Sequence, residues 1–211
     1  MFTLDNLFLL LTGLLAIYLI WRFYTRYSKG KALHDVYYLL GFIVLLVSGL
    51  LLIFLGYGIL GLGGTALSPF ILPVASLIPL GISLGIANQF FPSWKKAFAW
   101  FALVGFLAIA VTSIGGMAGI KKFAVPIFHG VAGLVIFLGP FLAKGAPKGF
   151  FWVGIGGALI GIGGLALASL TITGAALFGI FTKELVFTIL APLLFLMALA
   201  FTFGFMKDLK A

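Results

Sequence analysis

Long apolar runs separated by short polar joints dominate the chain. Each run approaches the roughly 20 residues that an α-helix needs to cross the hydrocarbon core of a bilayer. Seven helices are predicted, from about Asp5 to Tyr24, Asp35 to Leu55, Leu67 to Gln89, Ala97 to Ile114, Val125 to Ala143, Phe150 to Ile172 and Lys183 to Phe205. Lipid offers no partner to a backbone N–H or C=O, so a run of this length must satisfy its own hydrogen bonds, and the helix does so within one segment. The expected fold is therefore all-α: a polytopic transmembrane helical bundle forming a single domain over residues 1–211.

Two features blur this pattern. Helix 3 carries Pro69, Pro73 and Pro79 in its first half, which predicts an irregular entrance or a kink, because proline lacks the backbone donor and crowds the preceding turn. If that segment is re-entrant or interfacial, the count falls to six. The joint between helices 6 and 7, ITGAALFGIFT around Gly174, is itself apolar and marks its boundary weakly. Helix 5 is expected to start near Val125, with Pro126 in the first turn, where its missing N–H costs nothing.

Charge changes the picture by giving the helices a direction. Arg22, Arg26, Lys29, Lys31, Lys95, Lys96, Lys144, Lys148, Lys207 and Lys210 fall on one side of the alternating topology, and only Lys121, Lys122 and Lys183 fall on the other. A ten-to-three bias places the richer side in the cytoplasm, with the N-terminus outside and the C-terminus cytoplasmic. The first six residues hold Asp5 and no basic residue, unlike a signal peptide, so Leu7–Trp21 reads as a retained first helix. An integral location in a prokaryotic inner or cytoplasmic membrane is expected.

Composition agrees: 64% of the 211 residues are hydrophobic and 8% charged, against about 25% charged in soluble domains. The net charge of +9 comes from groups at the ends of apolar runs and forms no contiguous basic face, which argues against nucleic acid as a partner. Without cysteine there can be no disulfide, thiolate metal site or iron–sulfur cluster. Trp21, Tyr24, Tyr27, Trp94, Trp100 and Trp152 gather near predicted cytoplasmic boundaries, as an aromatic belt does.

Small residues mark the faces expected to pack. Helix 6 carries Gly154, Gly157, Gly161 and Gly164 at helical spacing with Ala158 and Ala168, and helix 3 repeats the spacing at Gly81 and Gly85. Such stripes let helix backbones approach closely where lipid supplies no hydrophobic drive for association. The first reading of the helix 6 stripe is internal packing. Its functional reading is a groove for a partner helix or for the flat face of a pigment or quinone.

Candidate chemistry is sparse. Asp5, Asp35, Glu184 and Asp208 all fall at predicted interfaces, and no carboxylate or lysine lies at mid-span. This counts against a proton pump, a retinal Schiff base and an intramembrane aspartyl or metal-dependent protease. His34 stands at the cytoplasmic entrance of helix 2, and His129 about one turn into helix 5 from the other side, so the two are not expected to share a haem. His129 beside Gly130 and Gly133, with Gly157 and Gly161 on helix 6, forms the candidate cofactor-binding set, and His129 is a candidate single axial ligand to a metal. Pigment, quinone and lipid are the ligands considered. Asn88 and Gln89 are expected to cap helix 3 or meet headgroups, and Lys183 with Glu184 to anchor helix 7. No phosphate-binding glycine loop or zinc-ligand signature accompanies them.

A weak likeness between HDVYYL at His34 and HGVAGL at His129 hints at an internal repeat, but the flanking runs do not align. The expected function is a non-catalytic integral membrane subunit or binding module, packed against other membrane protein subunits and lipid. Such a subunit would suit an electron-transfer or photosynthetic complex and could hold lipid, carotenoid, quinone or tetrapyrrole. The alternative is a small-solute or lipid transporter built around a proline-interrupted helix 3.

Overall fold

The computed structural model describes residues 3–60, 68–173 and 178–210. Among them run seven α-helices: α1 (Leu4–Gly30), α2 (Leu33–Leu55), α3 (Ser68–Phe90), α4 (Lys95–Ile114), α5 (Ala118–Leu142), α6 (Phe151–Thr173) and α7 (Lys183–Asp208). Six of them, all but α6, are long and apolar enough to cross a membrane, and the described part of α6 adds a shorter apolar stretch over Phe151–Ala166. The chain is thus a polytopic all-α membrane protein. The joint at 61–67, the expected start of helix 3 at Leu67, the Gly174 joint and the side chain of Ala168 lie outside the described residues.

Local chemistry sets the helix ends. Thr3 Oγ1 accepts a hydrogen bond from the Asn6 N–H at the head of α1, and Thr182 Oγ1 accepts from the Leu185 N–H at the head of α7, each 3.3 Å long. At the end of α1, Lys31 adopts a left-handed conformation (φ 52°) and its N–H donates to the Tyr27 carbonyl. The helix therefore outruns its expected end at Tyr24 and carries the basic cluster on its last turns. Basic side chains at a helix C-terminus suit the macrodipole and need not mark a loop.

Helix 5 departs most from expectation. A tight turn through Gly116 (φ 65°) ends α4, and α5 begins at once at Ala118, seven residues before Val125. Pro126 therefore lies inside α5 rather than in its first turn, as does Pro140. Membrane helices tolerate internal proline when neighbouring groups take up the freed backbone. α3 likewise runs unbroken through Pro73 and Pro79, and the Ser76 and Ser83 hydroxyls donate to the carbonyls of their own helix at Pro73 and Leu80.

The helices pack as a ring in the order α1, α2, α3, α5, α6, α7 and back to α1, with α4 outside against α3 and α5. Glycines permit the closest approaches. A β-carbon on Gly81 would lie 2.9 Å from the Tyr37 carbonyl oxygen and 3.0 Å from the Gly41 nitrogen, so α2 and α3 meet backbone to backbone. One on Gly204 would meet the Val153 nitrogen at 2.6 Å, joining α7 to α6 in the same way. Inside the ring, Phe23, Tyr38, Phe42, Phe150, Phe201 and Phe205 are fully buried and form one cluster. Phe23 and Phe42 stack at 5.8 Å, and Phe205 stands edge-on to Tyr38, Phe42 and Phe150 at 4.8, 5.6 and 5.7 Å.

Candidate functional site

Directly beside this aromatic cluster, one end of the bundle joins polar side chains that the sequence reading treated one by one. Arg26, Asp35, Gln89 and Asp208 belong to α1, α2, α3 and α7, and the up-and-down topology brings these four helix ends together. The guanidinium of Arg26 lies side-on to Asp35, with Nε donating to Oδ1 at 2.7 Å and Nη2 2.6 Å from the same oxygen. Its Nη1 donates to Asp208 Oδ2 at 2.6 Å. Gln89 completes the chain: its Nε2 donates to Asp208 Oδ1 at 2.7 Å, and its Oε1 accepts from the Tyr38 hydroxyl at 2.9 Å.

Burial makes this network consequential. The Asp35 side chain is 0% exposed and that of Asp208 only 6%, so neither carboxylate can rely on water. Arg26 is the one partner able to serve both, because its planar fork offers donors in two directions. It also lies over the Phe23 ring at 5.2 Å, which ties the ionic layer to the aromatic one. Asp35 Oδ2 is buried and has no hydrogen-bond partner among the described residues. His34 Nε2 stands 3.7 Å from Asp35 Oδ1, beyond hydrogen-bond length, with its ring edge-on to Tyr38.

Sequence reading missed this constellation because its members are separated by up to 182 residues. One signal was present. Asp208 lies in the last turn of α7, where a negative charge opposes the helix dipole, and a carboxylate so placed calls for a compensating cation. Gln89, expected to cap a helix or meet headgroups, instead bridges two helices. Glu184 does lie in the first turn of α7, where the dipole favours it. At that opposite end, the Tyr57 hydroxyl donates to Asp5 Oδ2 at 2.9 Å, and burial together with Asp5 raises the phenol pKa above its ordinary value.

The expected cofactor set lies elsewhere, between α5 and α6. His129 is the twelfth residue of the 25-residue α5, about 16 Å from its start, so it stands in the middle of the helix rather than one turn in. Its Nδ1 is fully buried and has no hydrogen-bond partner among the described residues, while the residue as a whole keeps partial exposure. A β-carbon on Gly164 would lie 4.0 Å from His129 Nε2, so the imidazole reaches the backbone of α6. Gly154 and Gly157 are helix contacts, with would-be β-carbons 2.6 Å from the Phe137 carbonyl oxygen and 2.9 Å from the Phe137 nitrogen. Gly130, Gly133 and Gly161 have no atom beyond their own helix backbone and chain neighbours within 4 Å of such a carbon. Gly130 is one residue from His129 and so lies about 100° around the helix from it.

Two further hollows are nearly featureless chemically. A cavity of about 220 Å³ between α6 and α7 is lined by residues such as Ile162, Gly163, Ala166, Val186, Leu190 and Leu193. A groove of about 420 Å³ runs between α2, α3 and α4, past Tyr37, Gly81, Trp100 and Phe106. Among the described residues, no group of three or more His, Cys, Asp or Glu side chains could hold a metal ion. Comparison of the chain with protein-family models, with curated proteins and with solved structures finds no match to any of them.

Proposed function

We propose that this chain is a non-catalytic integral membrane subunit or binding module that packs against other membrane subunits. In this reading its Arg26 end faces the cytoplasm of a prokaryotic inner membrane, and the N-terminus lies outside. The observation that carries it is the closed interior at that end, where the aromatic cluster lies against an ion network spanning α1, α2, α3 and α7. A solute passing through the ring would have to part four helices and expose two buried carboxylates on every cycle. Such a layer is better suited to holding a fixed shape against neighbours. The transporter alternative leaned on an interrupted helix 3, and the unbroken course of α3 gives it no support.

Gentle detergent extraction of the native membrane tests the reading. Stoichiometric partner chains are expected to accompany the protein. A partner-free protein that moves a solute into sealed vesicles would overturn the proposal in favour of transport. Orientation is tested separately, and the absence of native cysteine makes this simple. Lys95→Cys should react with an impermeant maleimide only from the cytoplasmic side, and Lys183→Cys only from outside. The reverse labelling pattern would invert the topology.

A further inference from the structure

α2 and α4 both pack against α3 and leave the groove of about 420 Å³ between them. α3 floors it from Leu77 to Leu84, seven residues or about 10 Å of helix, while Tyr37 and Leu40 of α2 form one wall and Ala99 and Leu103 of α4 the other. Leu40 and Leu103 are exposed, so the groove opens sideways onto the outside of the bundle, where a membrane protein meets lipid. Charge stands at one end only. Lys95 and Lys96 precede Ala99 by four and three residues and so extend the α4 wall by one turn, at the level where the α4 span begins. Both are exposed, and neither meets a carboxylate among the described residues. Of the four acidic residues, Asp35 and Asp208 are held by Arg26, while Asp5 and Glu184 belong to the opposite end. Trp94 gives α4 no side-chain cap, so the N–H groups of its first turn add partial positive charge beside the two lysines. Asn88, one turn beyond Leu84, brings an amide to the same end from α3.

We propose that the groove between α2, α3 and α4 binds an acyl chain of one anionic phospholipid, whose phosphate is held at the mouth by Lys95 and Lys96. This inference rests on the reading of the chain as a binding module and names its ligand class. Charge and shape select the same occupant. A basic pocket between membrane helices on the side richer in lysine and arginine suits an anionic headgroup, and here no protein carboxylate competes for the two ammonium groups. A zwitterionic headgroup carries its own cation and gains less from them. A groove of about 420 Å³ is too small for an equal length of helix, which at a diameter of about 10–12 Å fills on the order of 900 Å³. An acyl chain is far narrower and has no backbone polar groups to satisfy. Trp100, exposed at the rim of the groove one turn beyond Lys96, is an aromatic of the type that settles at headgroup level.

The test titrates the delipidated full chain in detergent with palmitoyl-oleoyl phosphatidylglycerol and with phosphatidylcholine of the same chains, and native mass spectrometry counts the lipids retained. One phosphatidylglycerol per chain is expected, held about tenfold or more tightly than phosphatidylcholine. The double variant Lys95→Gln/Lys96→Gln should weaken phosphatidylglycerol binding by about tenfold or more without changing the melting temperature of the lipid-free protein, because both side chains are exposed. Lys144→Gln/Lys148→Gln removes the same charge from the same end away from the groove and should bind as wild type. Ala99→Phe, which fills the groove from the α4 wall, should abolish retention, and glycerol phosphate, which has the headgroup charge and no chain, should not displace the lipid. Equal binding of the two lipids, equal loss in the two lysine variants, wild-type binding by Ala99→Phe, or displacement by glycerol phosphate would each overturn the site. So would loss of a partner chain from Ala99→Phe extracts with lipid binding intact, since the groove would then seat a partner helix. Partner co-purification is read on the native extract and lipid binding on the isolated chain, so either reading can fail without the other.

Discussion

Arg26→Ala is expected to destabilise the bundle more than any other single substitution, by about 3–5 kcal/mol. The change removes the only guanidinium serving Asp35 and Asp208, whose side chains are 0% and 6% exposed. Each carboxylate must then stay charged without an opposing charge or take up a proton, and both outcomes cost free energy that the unfolded chain does not bear. Arg26→Lys should recover only part of the loss. An ammonium group is a point charge on a flexible stem and cannot lie side-on to Asp35 while also donating to Asp208. Replacing Arg26, Asp35 and Asp208 together with Met, Leu and Leu should restore much of the stability, since no unpaired charge remains buried. Thermal unfolding in detergent, followed by size-exclusion chromatography, reads all three. An Arg26→Ala protein that melts with wild type would mean that the network contributes nothing to holding the helices together.

The second large effect concerns the backbone contact between α2 and α3. Gly81→Leu is expected to separate these helices, because the first added carbon already falls 2.9 Å from the Tyr37 carbonyl oxygen and 3.2 Å from the Gly41 Cα. Backbone atoms cannot swing aside as a flexible side chain can. Overpacking ordinarily costs about 1–3 kcal/mol, and here the shift would also pull Tyr38 away from Gln89, whose hydrogen bond spans the same two helices. Gly81→Ala should fall within the ordinary range and Gly81→Leu above it. Gly49→Leu on α2 is the matched control, since a β-carbon there meets nothing within 4 Å. If Gly81→Leu and Gly49→Leu were equally stable, the close approach of α2 and α3 would be wrong.

Much of the architecture was legible from the pattern of apolar runs. In a bilayer the solvent itself dictates the element, because every backbone group must be satisfied within its own segment. Hence the number of α-helices and most of their boundaries can be read without tertiary information. Boundaries failed where a local rule had two meanings. Pro126 is as compatible with a helix interior as with a first turn once neighbouring groups support it, and α5 in fact begins at Ala118. The basic cluster after Tyr24 reads as a loop, yet it also suits a helix C-terminus, and α1 continues to Gly30.

The candidate sites divide along the same line. That the helix 6 glycines share one face of their own helix was legible from 3.6-residue spacing. Which glycines pack and which stay open was not, because Gly157 and Gly161 have the same spacing and differ only in what the neighbouring helix places against them. The ion network was illegible for a stronger reason: Arg26, Asp35, Gln89 and Asp208 each look like an ordinary interfacial residue in its own segment. Sequence alone determined that this chain is an all-α membrane protein with its charge concentrated at one end, because solvent and helix period act locally. Only the tertiary structure decided that one arginine serves two buried carboxylates across three helices and that His129 lies against Gly164 of α6, because both depend on which helix ends and faces the ring brings together.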